Sequence, residues 1–396
     1  MRAKSLVFPL VVLAPFALAP ASADASRVVY VNTDPVTISA GANDPSADQI
    51  SVNGFMDTDM DGWAGATPEQ REQLLALLKD TSVDFDIIFT LERPAEGPYD
   101  MVVFGSADDH QSAFGGTCST QVGISDCGDA GGVSIAFSFW GCLGDEDQLD
   151  PHRVAFHTLG ALGYGWGLEN IAGTGQVMSG YTSSALKWGT ACANLSGAGN
   201  CTHVECGADQ QNSSADLLAA LGARVDDGPP ILTVLEPQPG AEINGPFDVV
   251  VDIDDAFGGL SAQLELVGAG VDPVVDDTWP YRWNGLQLGD GPVTLRITAT
   301  DADGNEVSTD VPICIGGGCP EPGDGDGDGD GDSGGDGDGD AEAGGTEGGG
   351  DPGVGGDRGS SGGGCAAVRP QEPGGAGALL MLGLLGLLGR RRRSRL

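Results

Sequence analysis

Residues 157–181, HTLGALGYGWGLENIAGTGQVMSGY, constrain this chain most, because they set one histidine among glycines and apolar residues. A histidine in such a setting either packs and hydrogen-bonds in a core or ligates a metal ion. His152 lies five residues before His157, a poor spacing for two side chains that share one helical face. The pattern therefore favours a histidine held in a core over a metal ligand.

The same stretch carries part of a zinc-protease signature. That signature is H-E-x-x-H on a helix, in which two histidines bind zinc and the glutamate activates the metal-bound water. His157, Gly160 and Gly163 stand where its extended form has the first histidine and two glycines, with one residue deleted before Ala161. Met178 stands in a sequence similar to a Met-turn. Through these residues, positions 27–225 resemble the metzincins, zinc proteases of the matrixin type.

Three departures from the metzincin pattern affect the catalytic residues themselves. Thr158 stands at the position of the general-base glutamate, the second histidine is absent, and the third falls at Trp166 or Gly167. A catalytic zinc site needs three protein ligands and an open position for water, and only His157 remains. The resemblance therefore implies a degenerate protease domain without catalytic residues, with no expected cofactor and with His157 as its one zinc candidate.

Three functions stay open for a chain of this kind. The first is an inactive module that binds a peptide or protein ligand or has a structural role. The second is an active secreted zinc metallopeptidase with displaced ligands, for which His203 and Cys206 are distant candidates. The third is a surface adhesin that acts through its second region. The missing ligands and base favour the first function and predict that the chain is not an enzyme.

Local patterns predict a mixed α+β fold for residues 24–227. β-Branched and aromatic residues predict strands at residues 27–32, 85–91 and 101–105. Thr67 opens the capping box of a helix that runs to about Lys79. This order of strand, helix and two strands before the His157 helix is shared by metzincin-like folds. Residues 132–139 predict an exposed edge strand, to which an extended peptide could add through backbone hydrogen bonds.

An acidic segment before that helix matches half of a calcium-binding loop. Its sequence DTDMDG places Asp57, Asp59 and Asp61 in the D-x-D-x-D-G pattern, in which alternate carboxylates wrap a hard cation. The glutamate expected at the twelfth position is Pro68, with Glu69 one place late. Calcium binding by the three aspartates is one interpretation, and a solvated acidic loop is the favoured one.

Residues 228–319 predict a β-sandwich. Short alternating strands separated by turn residues are expected at residues 231–234, 247–253, 262–266 and 293–300. Residues 237–241 resemble the early P-x-x-G turn of bacterial Ig-like repeats, and residues 301–305 resemble their late D-x-x-G-N turn. The resemblance implies an all-β Ig-like module that serves as a rigid spacer, with ligand binding as the alternative.

The chain starts with an export signal and contains nine cysteines. Residues 1–23 have the basic head, short apolar body and small-residue cleavage site of a secretory signal peptide. Cysteines of exported chains form disulfides, and the candidates are Cys118, Cys127, Cys142, Cys192, Cys201 and Cys206 in the first region and Cys314 and Cys319 after the second. We expect three bridges and one bridge respectively, with the connectivity open.

The last part of the chain predicts attachment to a cell surface. Residues 320–373 form a Gly/Asp-rich tether that lacks apolar periodicity and is expected to be disordered. Residues 374–396 combine an apolar run, roughly 24 Å long as a helix, with an arginine cluster. Cys365 followed by these features resembles the MYXO-CTERM sorting tails of myxobacterial surface proteins. The resemblance implies processing at Cys365, with a plain membrane anchor as the alternative.

The formal net charge of −40 limits the partners of this chain. Binding to a nucleic-acid backbone needs concentrated lysine and arginine, so nucleic acid is excluded as a partner. The partners that remain are an extended peptide or protein ligand and, through residues 374–396, the cell-envelope membrane. We therefore expect an exported protein anchored at the cell surface.

Overall fold

The computed structural model describes residues 26–180 and 185–317. All of these residues belong to one of the two units into which the chain divides, residues 1–324. The signal peptide, the tether, the sorting segment, Cys319 and Cys365 lie outside the described residues, so the statements about them stay predictions. No helix of the described part is long and apolar enough to cross a membrane.

The first region mixes strands and helices, as predicted. Its strands are β1 (Arg27–Asn32), β2 (Val36–Ala40), β3 (Gln49–Ile50), β4 (Thr58–Met60), β5 (Ile87–Thr90), β6 (Asp100–Phe104), β7 (Gln121–Val122), β8 (Ile135–Ser138), β9 (Ala193–Asn194) and β10 (Gln210–Gln211). Its helices are α1 (Pro68–Thr81), α2 (Ala107–Ala113), α3 (Pro151–Gly165) and α4 (Ser213–Leu221). The three predicted strands correspond to β1, β5 and β6.

A five-stranded sheet organises this region, in the order β5-β1-β6-β8-β7. The first four strands run parallel, and β7 pairs antiparallel to β8 at the edge. A three-stranded sheet, β3-β2-β4, and a two-stranded ribbon, β10-β9, complete the region. Within the described residues β7 pairs with β8 alone, so it stands at one edge of the sheet.

Alternate residues of the strands supply two cores on opposite faces of the sheet. Val29 and Val31 of β1 belong to the core that includes Leu74 of α1 and Leu159 of α3. Tyr30, between them, belongs to the second core, which includes residues of the small sheet. Both faces are therefore covered, which is the usual setting of parallel strands.

Helix α1 begins with the predicted capping box. The Thr67 hydroxyl accepts a hydrogen bond from the Gln70 backbone N–H at 3.2 Å, and the Gln70 side chain accepts one from the Thr67 N–H at 2.8 Å. Pro68 occupies the first helical turn, where its missing N–H costs nothing. The helix ends at Thr81, two residues later than predicted.

The predicted edge strand at residues 132–139 is wrong. The strand there, β8, lies between β6 and β7, and all four of its residues are buried. The alternation of apolar and small residues predicts a strand with one exposed face. In the structure the small residues of β8 pack against helix α3 and are as buried as the apolar ones. Gln121 and Val122 form the true edge, in a strand too short to show periodicity.

In the second region, the regular elements of the described residues 228–317 are all strands. They are β11 (Ile231–Glu236), β12 (Glu242–Ile243), β13 (Phe247–Asp254), β14 (Ser261–Leu266), β15 (Val274–Asp276), β16 (Arg282–Leu286), β17 (Gly291–Thr300) and β18 (Glu306–Ile315). They form two sheets, β11-β13-β16 and β12-β18-β17-β14-β15. One core joins both sheets, with Val249, Val251 and Trp283 from the first and Leu264 and Leu295 from the second. The four predicted strands are all present.

The six cysteines of the first region form three disulfides, as expected. They are Cys118–Cys142, Cys127–Cys201 and Cys192–Cys206, with 24, 74 and 14 residues of sequence separation. The pairing could not be derived from spacing. Cys314 is also disulfide-bonded, and Cys319, its expected partner, lies outside the described residues.

We predict that the disulfides differ in their effect on stability according to loop length. Replacing Cys127 and Cys201 by alanine removes the link across 74 residues and lowers the free energy of unfolding by about 4 kcal/mol. The matched change at Cys192 and Cys206, across 14 residues, lowers it by about 3 kcal/mol. Urea unfolding of the purified chain measures both, and a larger loss for the shorter loop contradicts the prediction.

Candidate functional site

Helix α3 carries the motif residues and is buried nearly all round. Asp150 caps it by accepting a hydrogen bond from the His152 backbone N–H at 3.0 Å, and Pro151 occupies the first turn. Twelve of its 15 residues are buried, which is typical of a helix inside a core rather than on a surface. The motif residues therefore face protein on every side.

His157 is a core histidine in this structure. It is 1% exposed, and its Nδ1 lies 3.0 Å from the Thr120 hydroxyl oxygen and 3.3 Å from the Gln121 side-chain oxygen. Burial, and to a smaller degree the charge of Arg153, lowers the pKa of His157 to about 4. The imidazole is therefore neutral at physiological pH and is held by two side chains at the start of β7.

The residues that the resemblance aligns with catalytic positions make hydrogen bonds to the sheet. Thr158, at the general-base position, is fully buried and donates to the Ser138 hydroxyl oxygen at 3.1 Å. Trp166, at a third-histidine position, donates from its indole nitrogen to Asp100 Oδ2 at 3.0 Å. Both side chains are thus committed to structure on the strands β8 and β6.

Asp100 is a buried carboxylate with several partners. It accepts a hydrogen bond from the Ser134 backbone N–H at 2.7 Å, and Arg27 Nε lies 3.7 Å from its Oδ2. Burial raises the pKa of Asp100, while Arg27 and Trp166 act in the opposite direction. The group ties the first strand of the sheet to the end of α3.

Both motif glycines make room for a neighbouring side chain. A Cβ atom on Gly160 would lie 2.4 Å from the Gln121 side-chain oxygen, and one on Gly163 would lie 2.7 Å from Met178 Sδ. Met178 is buried, has a φ of 69° and accepts a hydrogen bond from the Ile171 N–H at 3.0 Å. The structure thus brings Met178 against α3, while Tyr181 at the end of the motif lies outside the described residues.

The three calcium candidates are not brought together. Residues 58–60 form strand β4 instead of a loop, so Asp57, Asp59 and Asp61 are spread along an extended chain of roughly 13 Å. Asp57 accepts a hydrogen bond from the Ala40 N–H at 2.7 Å, and Asp59 accepts one from the Thr37 hydroxyl at 2.6 Å. The predicted loop is wrong, because residues 58–60 pair with β2 and two of the three carboxylates, those of Asp57 and Asp59, hydrogen-bond to that strand.

The distant zinc candidates also have other roles. Cys206 is bonded to Cys192, so it has no thiolate to offer, and this part of the prediction is wrong. His203 lies between two carboxylates, with Nδ1 2.9 Å from Asp216 and Nε2 3.0 Å from Glu169. Burial raises the pKa of Asp216, whereas for Glu169 the hydrogen bonds it accepts outweigh burial and lower the pKa. This group fixes the disulfide-bonded loop before α4.

One acidic group lies at the junction of the two regions. Among residues 26–180 and 185–317, only Asp226, Asp255 and Asp301 form a set of three or more His, Cys, Asp or Glu side chains whose ligand atoms all lie within 4.8 Å. Asp301 Oδ1 accepts hydrogen bonds from the Asp303 and Asn305 N–H groups at 2.9 Å. Its carboxylate therefore holds the D-x-x-G-N turn together, and we assign it no ligand.

A cavity of about 360 Å³ lies beside the edge strand β7. Its walls are mainly apolar and include Val52, Phe114, Val122 and Ile124. Gln121 of β7 contacts His157, whereas Val122 belongs to the core on the other face of the sheet. The edge strand β7 thus has the buried His157 on one face and an apolar cavity on the other.

Comparisons with known proteins give no family for this chain. No family model matches it, and no curated protein matches it. Matching solved structures include the fibronectin(III)-like modules of Clostridium thermocellum CbhA, at 16% identity and a TM-score of 0.20, over 22% of this chain and 94% of that one. They also include CopC from Methylosinus trichosporium OB3b, at 13% identity and a TM-score of 0.18, over 22% and 92%. These likenesses carry no argument about function.

We predict that stability falls between about pH 6.5 and 4 because His157 is buried as the neutral form. Its pKa is about 4 in the folded chain and about 6.5 when unfolded. The unfolded state therefore binds the proton first as pH falls, and up to roughly 3 kcal/mol is lost. Urea unfolding at several pH values measures the free energy of unfolding, which should fall less steeply with decreasing pH in His157→Gln than in the native chain. His152→Gln, at an exposed position of the same helix, is the control for the substitution itself. Equal slopes for His157→Gln and the native chain contradict this.

Proposed function

We propose that this chain is an exported surface protein whose first region is a metzincin-like scaffold that binds an extended peptide without cleaving it. The second region acts as an Ig-like spacer. The observation that carries the proposal is the closed surrounding of His157, which is 1% exposed and hydrogen-bonded at Nδ1. Zinc catalysis needs an open coordination position for water, and an imidazole enclosed in this way does not provide one.

The replaced side chains also argue against hydrolysis. A threonine hydroxyl such as that of Thr158 has no pKa near neutrality, so it cannot take a proton from attacking water as a carboxylate does. The indole of Trp166 is a donor with no lone pair for a metal ion. Both groups are buried and hydrogen-bonded within the sheet and helix. Their burial and hydrogen bonds thus favour a structural role for Thr158 and Trp166.

Strand β7 supplies the features that peptide binding needs. It lies at the edge of the five-stranded sheet, so an extended peptide can add beside it through main-chain hydrogen bonds. The apolar cavity of about 360 Å³ beside Val122 offers a place for one side chain of the peptide. Burying a leucine-sized side chain there contributes about 2 kcal/mol, which gives selectivity for apolar residues.

The absence of catalysis is tested on the purified full chain. Zinc is measured by mass spectrometry, and hydrolysis of unfolded casein is followed with and without a chelator. We expect neither bound zinc in stoichiometric amount nor hydrolysis. Stoichiometric zinc together with chelator-sensitive hydrolysis that His157→Ala abolishes contradicts the proposal and supports an active metallopeptidase with displaced ligands.

Peptide binding is tested with an array of extended peptides that alternate apolar and polar residues. Val122→Arg places a charge in the cavity beside β7 and should weaken binding about tenfold or more. Val274→Arg is the matched control, because Val274 is 55% exposed on β15, an edge strand of the second region. If peptide binding survives Val122→Arg but is lost in Val274→Arg, the proposal is wrong and the binding site lies in the Ig-like region, as expected of an adhesin.

A further inference from the structure

A second cavity, of about 480 Å³, lies between helix α1 and the second region. We propose that it binds an arginine side chain of a peptide partner. None of its lining residues is shared with the cavity beside β7, so the proposal goes beyond the peptide site proposed there. It rests on the charges, the aromatic wall and the spacing of the carboxylates in this cavity.

The cavity has an excess of negative charge. Among the described residues, five carboxylates line it, from Glu72, Asp80, Asp252, Asp254 and Asp255, together with a single cationic side chain, that of Lys79. The Lys79 ammonium already donates to the Asp255 backbone oxygen and lies 3.9 Å from Asp254 Oδ1. Four of the five negative charges are thus left without a compensating cation in the cavity.

Two of these carboxylates, those of Glu72 and Asp252, are open to a ligand. Two others are already engaged: Asp80 accepts a hydrogen bond from the Gly259 N–H at 2.8 Å, and Asp255 accepts one from the Phe257 N–H at 2.9 Å. Among the described residues, no hydrogen bond or ion pair engages the carboxylates of Glu72 and Asp252. Burial is the main cause that raises the pKa of Glu72, and the charges of Asp252 and Asp254 raise it further, while the charge of Lys79 acts in the opposite direction.

The spacing of the carboxylates favours an organic cation over a metal ion. No three of the five approach within the 4.8 Å that would let them surround one ion, since the only such set in the described part combines Asp255 with Asp226 and Asp301. A guanidinium group is wide and planar and carries five N–H donors, so it can bridge carboxylates that a single ion cannot reach together.

The aromatic wall of the cavity selects arginine further. Trp279 and Tyr281 line it, and a guanidinium plane stacks on such rings, whereas the ammonium of lysine is more strongly hydrated. The junction already uses this chemistry next to the cavity. The guanidinium of Arg224 lies 5.8 Å from the ring centre of Phe257 and pairs with Asp303 at 3.0 Å. An arginine from a partner would repeat that arrangement.

The test titrates the full chain with end-blocked glycyl-arginyl-glycine by calorimetry. Two matched probes replace the arginine by lysine and by citrulline, which has nearly the same shape without the charge. We expect the arginine peptide to bind about tenfold more tightly than the lysine peptide and the citrulline peptide not to bind measurably. Equal binding of the arginine and citrulline peptides overturns the proposal, as does a lack of binding by the arginine peptide.

The variants locate the binding in this cavity. Glu72→Gln combined with Asp252→Asn should weaken the arginine peptide about tenfold or more. Glu96→Gln combined with Asp145→Asn removes the same charge at exposed positions outside the cavity and should leave the affinity unchanged. An equal loss in both double variants shows a nonspecific charge effect and overturns the proposal.

Discussion

The contact between His157 and the start of β7 holds the edge of the main sheet in place. β7 pairs with β8 through two residues only, so the backbone ladder alone secures it weakly. The side chains of Thr120 and Gln121 add hydrogen bonds to the buried imidazole, and Gly160 leaves the space that the Gln121 side chain occupies. The buried imidazole thus anchors a two-residue strand at the edge of the sheet, beside which we propose that a peptide adds.

A second buried polar group, Asp100, fixes the end of α3. Asp100 receives the Trp166 indole and lies beside Arg27, so it joins β6, β1 and the helix end. A buried carboxylate is costly unless it is paired and hydrogen-bonded, and here it has both kinds of partner. The large indole also buries more apolar surface than a histidine would. Core packing and one ion pair therefore hold the end of α3.

Much of the fold could be predicted from the sequence, but the contacts of the site could not. The capping box at Thr67 and the β-branched strands are local signals, and both were sufficient. The sequence does not predict the edge strand β7, because a strand of two residues shows no periodicity. The acidic DTDMDG segment matches a loop motif, but in the structure it pairs with β2 as a strand. The partners of His157 come from 36 and 37 residues away. Gly160 is the one local signal for these partners, since a glycine one turn after His157 in a buried helix indicates that another part of the chain packs closely against the helix.

The junction between the two regions has few cations, and this shortage also leaves the cavity beside α1 acidic. The chain has 18 lysine and arginine residues against 58 acidic ones, so each cation has many potential partners. Lys79 and Arg224, with side chains 14% and 8% exposed, both reach across to the second region, where they contact backbone oxygens and carboxylates. Gly258 also packs directly on the last turn of α1, where a Cβ atom would lie 2.4 Å from the Lys79 backbone. Since a buried cation that loses its partner is strongly destabilising, these two side chains fix how the regions meet. Carboxylates beyond the reach of both remain available to a cation from outside.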